Sequence, residues 1–345
     1  MTKQAHINAR FTTQSLTGVQ RFASEISAAL LRQWPAGRTP PIFWAPARGG
    51  LAGQAWEQAV LPWRSRGGVL LNLGNTGPLA RRKQLVVLHD AGVFATPEAY
   101  SMPFQLWYRA LHRGLAARGA GLATVSGFAR GDLAARLGIS ADRIDLLSEG
   151  ADHMGRVAPD TTAVERLGLA GRPYVLAVGS LAAHKNLAAL QATAAMLAER
   201  GADLVITGGL TAHVFGTATA LPKPARYVGR VSDGALRALY AGAACFVFPS
   251  RYEGFGLPAL EAMACGCPVV ASGAAALPEV CGEAALYCDP ADPASIARAV
   301  GRVLDDPALA DRLRRLGVAR AARFTWDRAA ALLLASIERL EAGGP

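Results

Sequence analysis

The sequence predicts an α/β protein built from two doubly wound parallel-sheet domains. Three observations carry this. At 345 residues the chain exceeds the size at which one hydrophobic core usually stops growing. Apolar residues make up 51% and charged residues 18%, the balance of a richly buried globular chain and not of a disordered or fibrous one. Short runs rich in Val, Ile and Leu alternate with alanine-rich amphipathic stretches through both halves, the pattern of βαβ units whose strands are covered on both faces.

Taken in order, strands are expected at 69–73, 85–89, 122–126, 174–178, 204–207, 225–228, 245–249, 268–271 and 285–287. Helices are expected at 18–33, 104–118, 128–137, 187–200, 233–241, 258–264, 293–305, 307–323 and 326–340. The seam falls between Asp152 and Gly171, where Pro159 and paired threonines interrupt the pattern before a new strand begins. This divides the chain into an N-terminal domain, 1–165, and a C-terminal domain, 166–345. The last helix, about 326–340, is placed so that it can pack back on the first. Two such domains in tandem put the carboxyl ends of their strands, and hence their ligand sites, on a shared cleft. No internal repeat or low-complexity tail is visible.

The segment MTKQAHINARF has no apolar core for a signal peptide, and the longest uncharged stretch, Leu204 to Pro222, is broken by Gly, Thr, His and Pro. A cytoplasmic protein is expected. Cys245, Cys265, Cys267, Cys281 and Cys288 show neither CxxC nor zinc-site spacing and read as buried thiols in a reducing compartment. The net charge of +10 is uneven, with 18 basic and 11 acidic residues in 1–165 against 18 and 15 in 166–345. A basic first half suits a nucleic acid, a phosphate-bearing substrate or an acidic membrane surface; an arginine-rich composition without functional meaning produces the same excess. Nucleic acid is the weakest of the three, because zinc fingers, RNA-binding aromatic signatures and an unbroken basic helix are all missing.

The most informative segment is PSRYEGFGLPALEAMACGCPVVAS, Pro249 to Ser272. A buried strand runs into a loop holding Glu253, Gly254, Phe255 and Gly256, then Leu257, with Pro258 expected at the first helical position, where its missing N–H is harmless. The glycines let backbone approach a ligand closely, and the N–H groups at the helix start face an anion with the helix dipole assisting. Glu253 and Glu261 straddle that turn. Carboxylates repel phosphate, so these two read as acceptors for hydroxyl groups, one on a ribose and one on a sugar, which together specify a nucleotide sugar.

This string resembles the retaining glycosyltransferases of family 4, whose mark is two glutamates with seven residues between, as in Glu253 and Glu261 around GFGLPAL. LRALYAGAACFVFPS, GCPVVAS and the closing FTWDRAA also resemble that family's C-terminal domain, and the likeness covers nearly the whole chain. It implies the GT-B fold: two Rossmann-like domains facing an interdomain cleft, the acceptor bound by 1–165 and the nucleotide-sugar donor by 166–345. In VGSLAAHKN, Gly179 ends a strand and Lys185 stands near the next helix as a point charge for a diphosphate. The family's matching lysine contacts donor phosphates. The arginine often found beside it or after the strand-end glycine is replaced here by His184 and Ser180. Lys185 is then the principal cation, with Arg230 and Val231 of the GRV turn also facing the donor.

In LVVLHDAGVF, the resemblance assigns His89 to the donor sugar near the reacting carbon, with Asp90 as its orienter. QSLTGVQRFASEI resembles the family's glycine loop, placing Gly18 at a helix start near the donor and Arg21 one turn on, within reach of an anionic acceptor. TVSGFARGDLAARLGI leads to LLSEGAD, where the family usually has Asn in place of Glu149. LNLGNTGPL, with Asn75 on the acceptor side, resembles a loop of bacterial members acting on exopolysaccharide and lipopolysaccharide intermediates, several of them mannosyltransferases. With no D-x-D sequence and no second histidine at ligand spacing, neither a metal nor any other cofactor is expected.

The reaction implied is metal-independent transfer of a hexose, mannose favoured, from a GDP- or UDP-linked donor to a hydroxyl of a glycan or lipid-pyrophosphate-linked glycan, with retention at the anomeric carbon. Catalytic roles fall to His89, Glu253 and Lys185, and Glu261 takes the ribose. An acceptor of this kind brings peripheral contact with the anionic inner face of the cell membrane. A sugar-nucleotide epimerase, a phosphorylase and a non-catalytic nucleotide-sugar-binding subunit remain open on the same architecture.

Overall fold

The structure is a computed structural model that describes residues 4–209 and 221–343. Residues 210–220, inside the uncharged stretch noted above, lie outside the described residues. The chain forms two compact units: Met1–Phe94, Gln105–Gly150 and Trp326–Pro345 in the first, Ala95–Phe104 and Ala151–Thr325 in the second.

The first unit holds six parallel strands: β1 (Ala5–Asn8), β2 (Ile42–Trp44), β3 (Val69–Asn72), β4 (Gln84–Val87), β5 (Gly121–Thr124) and β6 (Ile144–Leu146). They lie in the order β2-β1-β3-β4-β5-β6. The second holds β7 (Tyr174–Val178), β8 (Asp203–Thr207), β9 (Arg226–Gly229), β10 (Cys245–Phe248), β11 (Val269–Ser272) and β12 (Ala285–Cys288), again parallel, ordered β12-β11-β10-β7-β8-β9. Each order reverses once, between β1 and β3 and between β10 and β7. In doubly wound sheets, ligands bind beyond the strand carboxyl ends at such a reversal.

Burial explains why most strands are visible as apolar runs. Val175, Ala177, Ile206, Val247 and Val270 are enclosed with Leu190, Leu197, Ile296 and Val300 from helices of the second unit. Val86, Leu88 and Leu122 are likewise enclosed with Leu111, Leu115 and Leu133 in the first. Three strands lack that signature. β1 is buried throughout yet carries His6, whose Nδ1 accepts from Trp44 Nε1 at 3.1 Å, and Asn8, whose Nδ2 donates to Glu57 at 2.7 Å. β2 and β6 are three-residue edge strands.

Residues 151–165 sit with the second unit, and the boundary falls ahead of the expected position at 165. Backbone bonds account for this: Ala151 N–H donates to Phe324 at 3.1 Å, and Asp160 N–H to Gly234 at 3.0 Å. The final helix, Trp326–Ala342, belongs to the first unit, where the fully buried Trp326 ring meets Phe22 edge-on at 5.8 Å.

Candidate active site

In the second unit the site loops leave the carboxyl ends of adjacent parallel strands. β7 leads to Gly179, half-buried Ser180 and Lys185, and β10 leads to Glu253. Gly179 N–H donates to Thr207 at 3.0 Å. A Cβ on Gly208 would fall 2.0 Å from the Gly179 carbonyl, so glycine there permits the β7 and β8 turns to lie against each other. Asn186, left-handed at φ 57°, donates its amide to the carbonyls of Pro249 at 3.0 Å and Pro290 at 2.8 Å. That buried amide clamps the β7 loop to the β10 loop and fixes the neighbouring Lys185.

The Lys185 ammonium donates to both carboxylate oxygens of Glu253, at 2.8 and 2.9 Å, and lies 5.6 Å from the centre of the Phe248 ring. Glu253 is 8% exposed, so this ion pair is largely withdrawn from water. His184, in the place of the family's arginine, has its pKa lowered to about 4 by burial and then by the Lys185 charge. Its ring stacks on Tyr100, and it is neutral at neutral pH; Lys185 is the cation of this loop.

Beyond Glu253, Gly254, Phe255 and Leu257 are buried. Gly256 holds φ 106° at the N-cap of the helix Leu257–Ala264, and a Cβ there would come 2.5 Å from Leu277. Pro258 occupies the second helical position and not the first, because Leu257 already has helical geometry. Glu261 therefore lies one turn in. Its Oε1 accepts from His153 Nε2 at 3.0 Å and its Oε2 from the Tyr240 hydroxyl at 3.2 Å, all three residues buried. Burial and then the Glu261 charge raise the Tyr240 pKa well above its ordinary value, so the phenol stays a donor. Arg230 is exposed and Val231 half-buried after β9, two strands from β7, whereas Lys185 and Glu253 are in direct contact.

In the first unit, His89 follows β4 and its ring is buried against Phe22 in an edge-on contact of 4.7 Å. Its Nε2 donates to the Leu73 carbonyl at 3.1 Å, and its Nδ1 is 3.5 Å from the Glu149 carboxylate. The expectation that Asp90 orients this ring is corrected: Asp90 Oδ1 accepts from the Gly92 N–H at 2.7 Å, closing its own turn, and Glu149 faces the imidazole. Asn75, left-handed at φ 64°, accepts from the His89 N–H at 2.7 Å and through its own carbonyl from His112 Nε2 at 2.9 Å. Gly18, at the start of the helix Gly18–Arg32, has open space where a Cβ would stand, and Arg21 is 3.9 Å from Glu25.

Between β1 and β3, where this sheet reverses, a buried polar cluster fills the strand ends. Glu57 Oε2 accepts from Arg10 Nε at 3.0 Å, Asn8 Nδ2 at 2.7 Å and Thr76 Oγ1 at 2.9 Å. Arg10 also donates to Thr76 at 2.7 Å, and Asn8 to Asn72 at 3.0 Å. Sequence reasoning missed this cluster, as it missed His153, Tyr240 and Glu149 as partners of the named residues. Arg10 and Glu57 stand 47 positions apart with no local motif. Asn186 was missed as well, although its place at the end of VGSLAAHKN beside Lys185 is a signal that could have found it.

Two Rossmann-like parallel sheets with loops of this kind define the GT-B class of fold. Residues 172–306 match the family model described as "Glycosyl transferases group 1". O-antigen chain mannosyltransferase B of Escherichia coli is 33% identical over 266 residues, 72% of this chain and 68% of that protein. The chain belongs to the group 1 glycosyl transferases and is a family-4-like glycosyltransferase. A second relative, MMP alpha-(1->4)-mannosyltransferase of Mycolicibacterium hassiacum, is 47% identical over 113 residues, 32% of this chain and only 28% of that protein's length. Among solved structures, sucrose-phosphate synthase from Thermosynechococcus elongatus superposes with a TM-score of 0.75 at 21% identity, covering 99% of this chain and 100% of that one. Anabaena HepE in complex with UDP and glucose gives 0.71 at 17%, covering 99% and 100%.

Proposed function

We propose that this chain is a retaining, metal-independent hexosyltransferase that moves mannose from a GDP- or UDP-linked donor to a hydroxyl of a glycan or lipid-linked glycan in bacterial surface polysaccharide synthesis. The observation that carries the reading is the Lys185–Glu253 ion pair at the sheet reversal of the second unit, beside the helix start at Gly256. The names of the two mannosyltransferase relatives support the sugar, and the UDP complex of HepE supports a nucleoside diphosphate donor.

In this reading Lys185 and the N–H groups at the helix start receive the diphosphate charge as the bond from the anomeric carbon to the phosphate oxygen breaks. The acceptor oxygen forms its new bond on the same face, and its proton passes to the departing phosphate oxygen. No covalent residue is assigned. Glu253, released from Lys185 by the incoming anion, accepts a sugar hydroxyl. Glu261 accepts the ribose hydroxyls, with Gly179, Ser180, Arg230, Val231, Gly254, Phe255 and Leu257 lining the donor. In the first unit the resemblance assigns Gly18 and His89 to the donor and Arg21, Asn75 and Asp90 to the acceptor. A lipid-linked acceptor places the work at the cytoplasmic face of the cell membrane.

A thermal-shift series with GDP-mannose and UDP-glucose identifies the donor, because ligands of the native state raise its melting point. Transfer to a glycan acceptor, followed by NMR of the new anomeric centre with chelator present, tests retention and metal independence together. Full transfer activity in Glu253→Ala, or an inverted product, would overturn the reading.

A further inference from the structure

The geometry points to the β2 edge of the first unit as a docking surface for an anionic lipid bilayer. Three tryptophan–arginine pairs gather along one stretch of chain: Arg38 over Trp34 at 4.8 Å, Arg64 over Trp44 at 5.4 Å, and Arg66 over Trp63 at 5.8 Å. The Trp44–Arg64 contact joins β2 to the helix Leu61–Arg64 that carries Trp63. Ile42 is 38% exposed, Phe43 40% and Trp63 61%, although folding usually withdraws side chains of this size from water.

Charge selects the occupant. Between Glu25 and Asp90 the chain holds eight Lys and Arg and a single acid, Glu57, which is buried against Arg10. Arg38 is paired with Glu341 at 2.6 Å, while Arg48, Arg64 and Arg66 are exposed. Tryptophan rings with guanidinium groups stacked over them suit the boundary between headgroups and acyl chains, where an amphipathic indole sits at headgroup level and the guanidinium meets anionic headgroups. A second copy of this chain is the weaker occupant. An edge strand recruits a neighbour through its backbone, and β2 is three residues long with Pro41 before it and Pro46 two residues after it.

Membrane contact forms part of the function proposed above, but the surface assigned here rests on exposure and charge alone. The test reads binding and not transfer. The full chain is floated with vesicles of phosphatidylcholine, with and without phosphatidylglycerol. Flotation with the anionic vesicles only, weakening as salt is raised, is expected. Arg64→Gln and Arg66→Gln should each lower partitioning about fivefold, and Trp63→Ser should lower it with the melting temperature unchanged. Equal flotation with neutral vesicles, no flotation, or wild-type flotation of the variant combining Trp63→Ser, Arg64→Gln and Arg66→Gln would overturn the assignment. So would a concentration-dependent dimer that Phe43→Ser and Trp63→Ser abolish without any vesicle binding. An unaltered thermal shift with nucleoside diphosphate in these variants separates loss of docking from damage to the donor site.

Discussion

Lys185 and Glu253 are bound ammonium to carboxylate at 2.8 and 2.9 Å across 68 residues of sequence. Under the proposed function, the cation assigned to the diphosphate is thus held already neutralised, and an incoming phosphate has to compete with Glu253 for it. Removing the lysine leaves the carboxylate mostly buried without its partner, which costs about 1–3 kcal/mol. Lys185→Ala should lower urea stability by that amount and reduce donor affinity and turnover together. Lys185→Ala with Glu253→Gln should recover stability and leave donor binding lost. A double variant no more stable than the single would show that the pair is not coupled.

Gly256 combines φ 106° with a Leu277 methyl where a Cβ would sit, 2.5 Å away. Gly256→Ala must strain the backbone or move Leu277, at a cost of about 1–3 kcal/mol. The same shift tilts the first N–H groups of the helix Leu257–Ala264. Urea melts should show the loss, and calorimetric titration with nucleoside diphosphate should show weaker binding than the stability change alone explains.

Arg10 and Glu57 place a buried ion pair at the sheet reversal of the first unit, with 7% and 2% of their side chains exposed. Arg10→Met strands the Glu57 carboxylate and should cost about 3–5 kcal/mol. Arg10→Met with Glu57→Gln should cost markedly less, since no buried charge remains. Denaturant midpoints of the two variants decide this; equal loss in both would mean that packing, not charge, dominates.

His112 is 2% exposed, and burial lowers its pKa to about 4. Its Nε2–H is donated to Asn75, and its Nδ1 is buried without a hydrogen-bond partner among the described residues. The unfolded chain takes up this proton near pH 6.5 and the folded chain only near pH 4. The stabilisation is complete above pH 6.5 and declines as pH falls from there toward 4, by on the order of 3 kcal/mol. His184 adds a decline in the same window. His112→Gln should flatten the fall in urea stability between pH 7 and pH 4, and an unchanged slope would assign it to other groups.

Strands enclosed on both faces were legible because burial leaves an apolar run, as in Val247 and Val270. β1 was not, because His6 and Asn8 break its run and find their partners, Trp44, Glu57 and Asn72, in distant parts of the chain. The site divides the same way. Glu253, Gly256 and Lys185 stand in contiguous strings, so local spacing reveals them. Their neighbours come from afar: His153 reaches Glu261 across 108 residues. Asp90 was chosen as the partner of His89 for its adjacency, and geometry awards that place to Glu149, which comes round on the loop after β6.

Trp326, sealed against Phe22, is synthesised only after the whole stretch 151–325. The first unit therefore cannot close its core in order of synthesis. Its nascent form waits with the Phe22 side of its interior open while the later-made unit folds, and it needs shielding, by chaperones or by speed, until the last helix arrives.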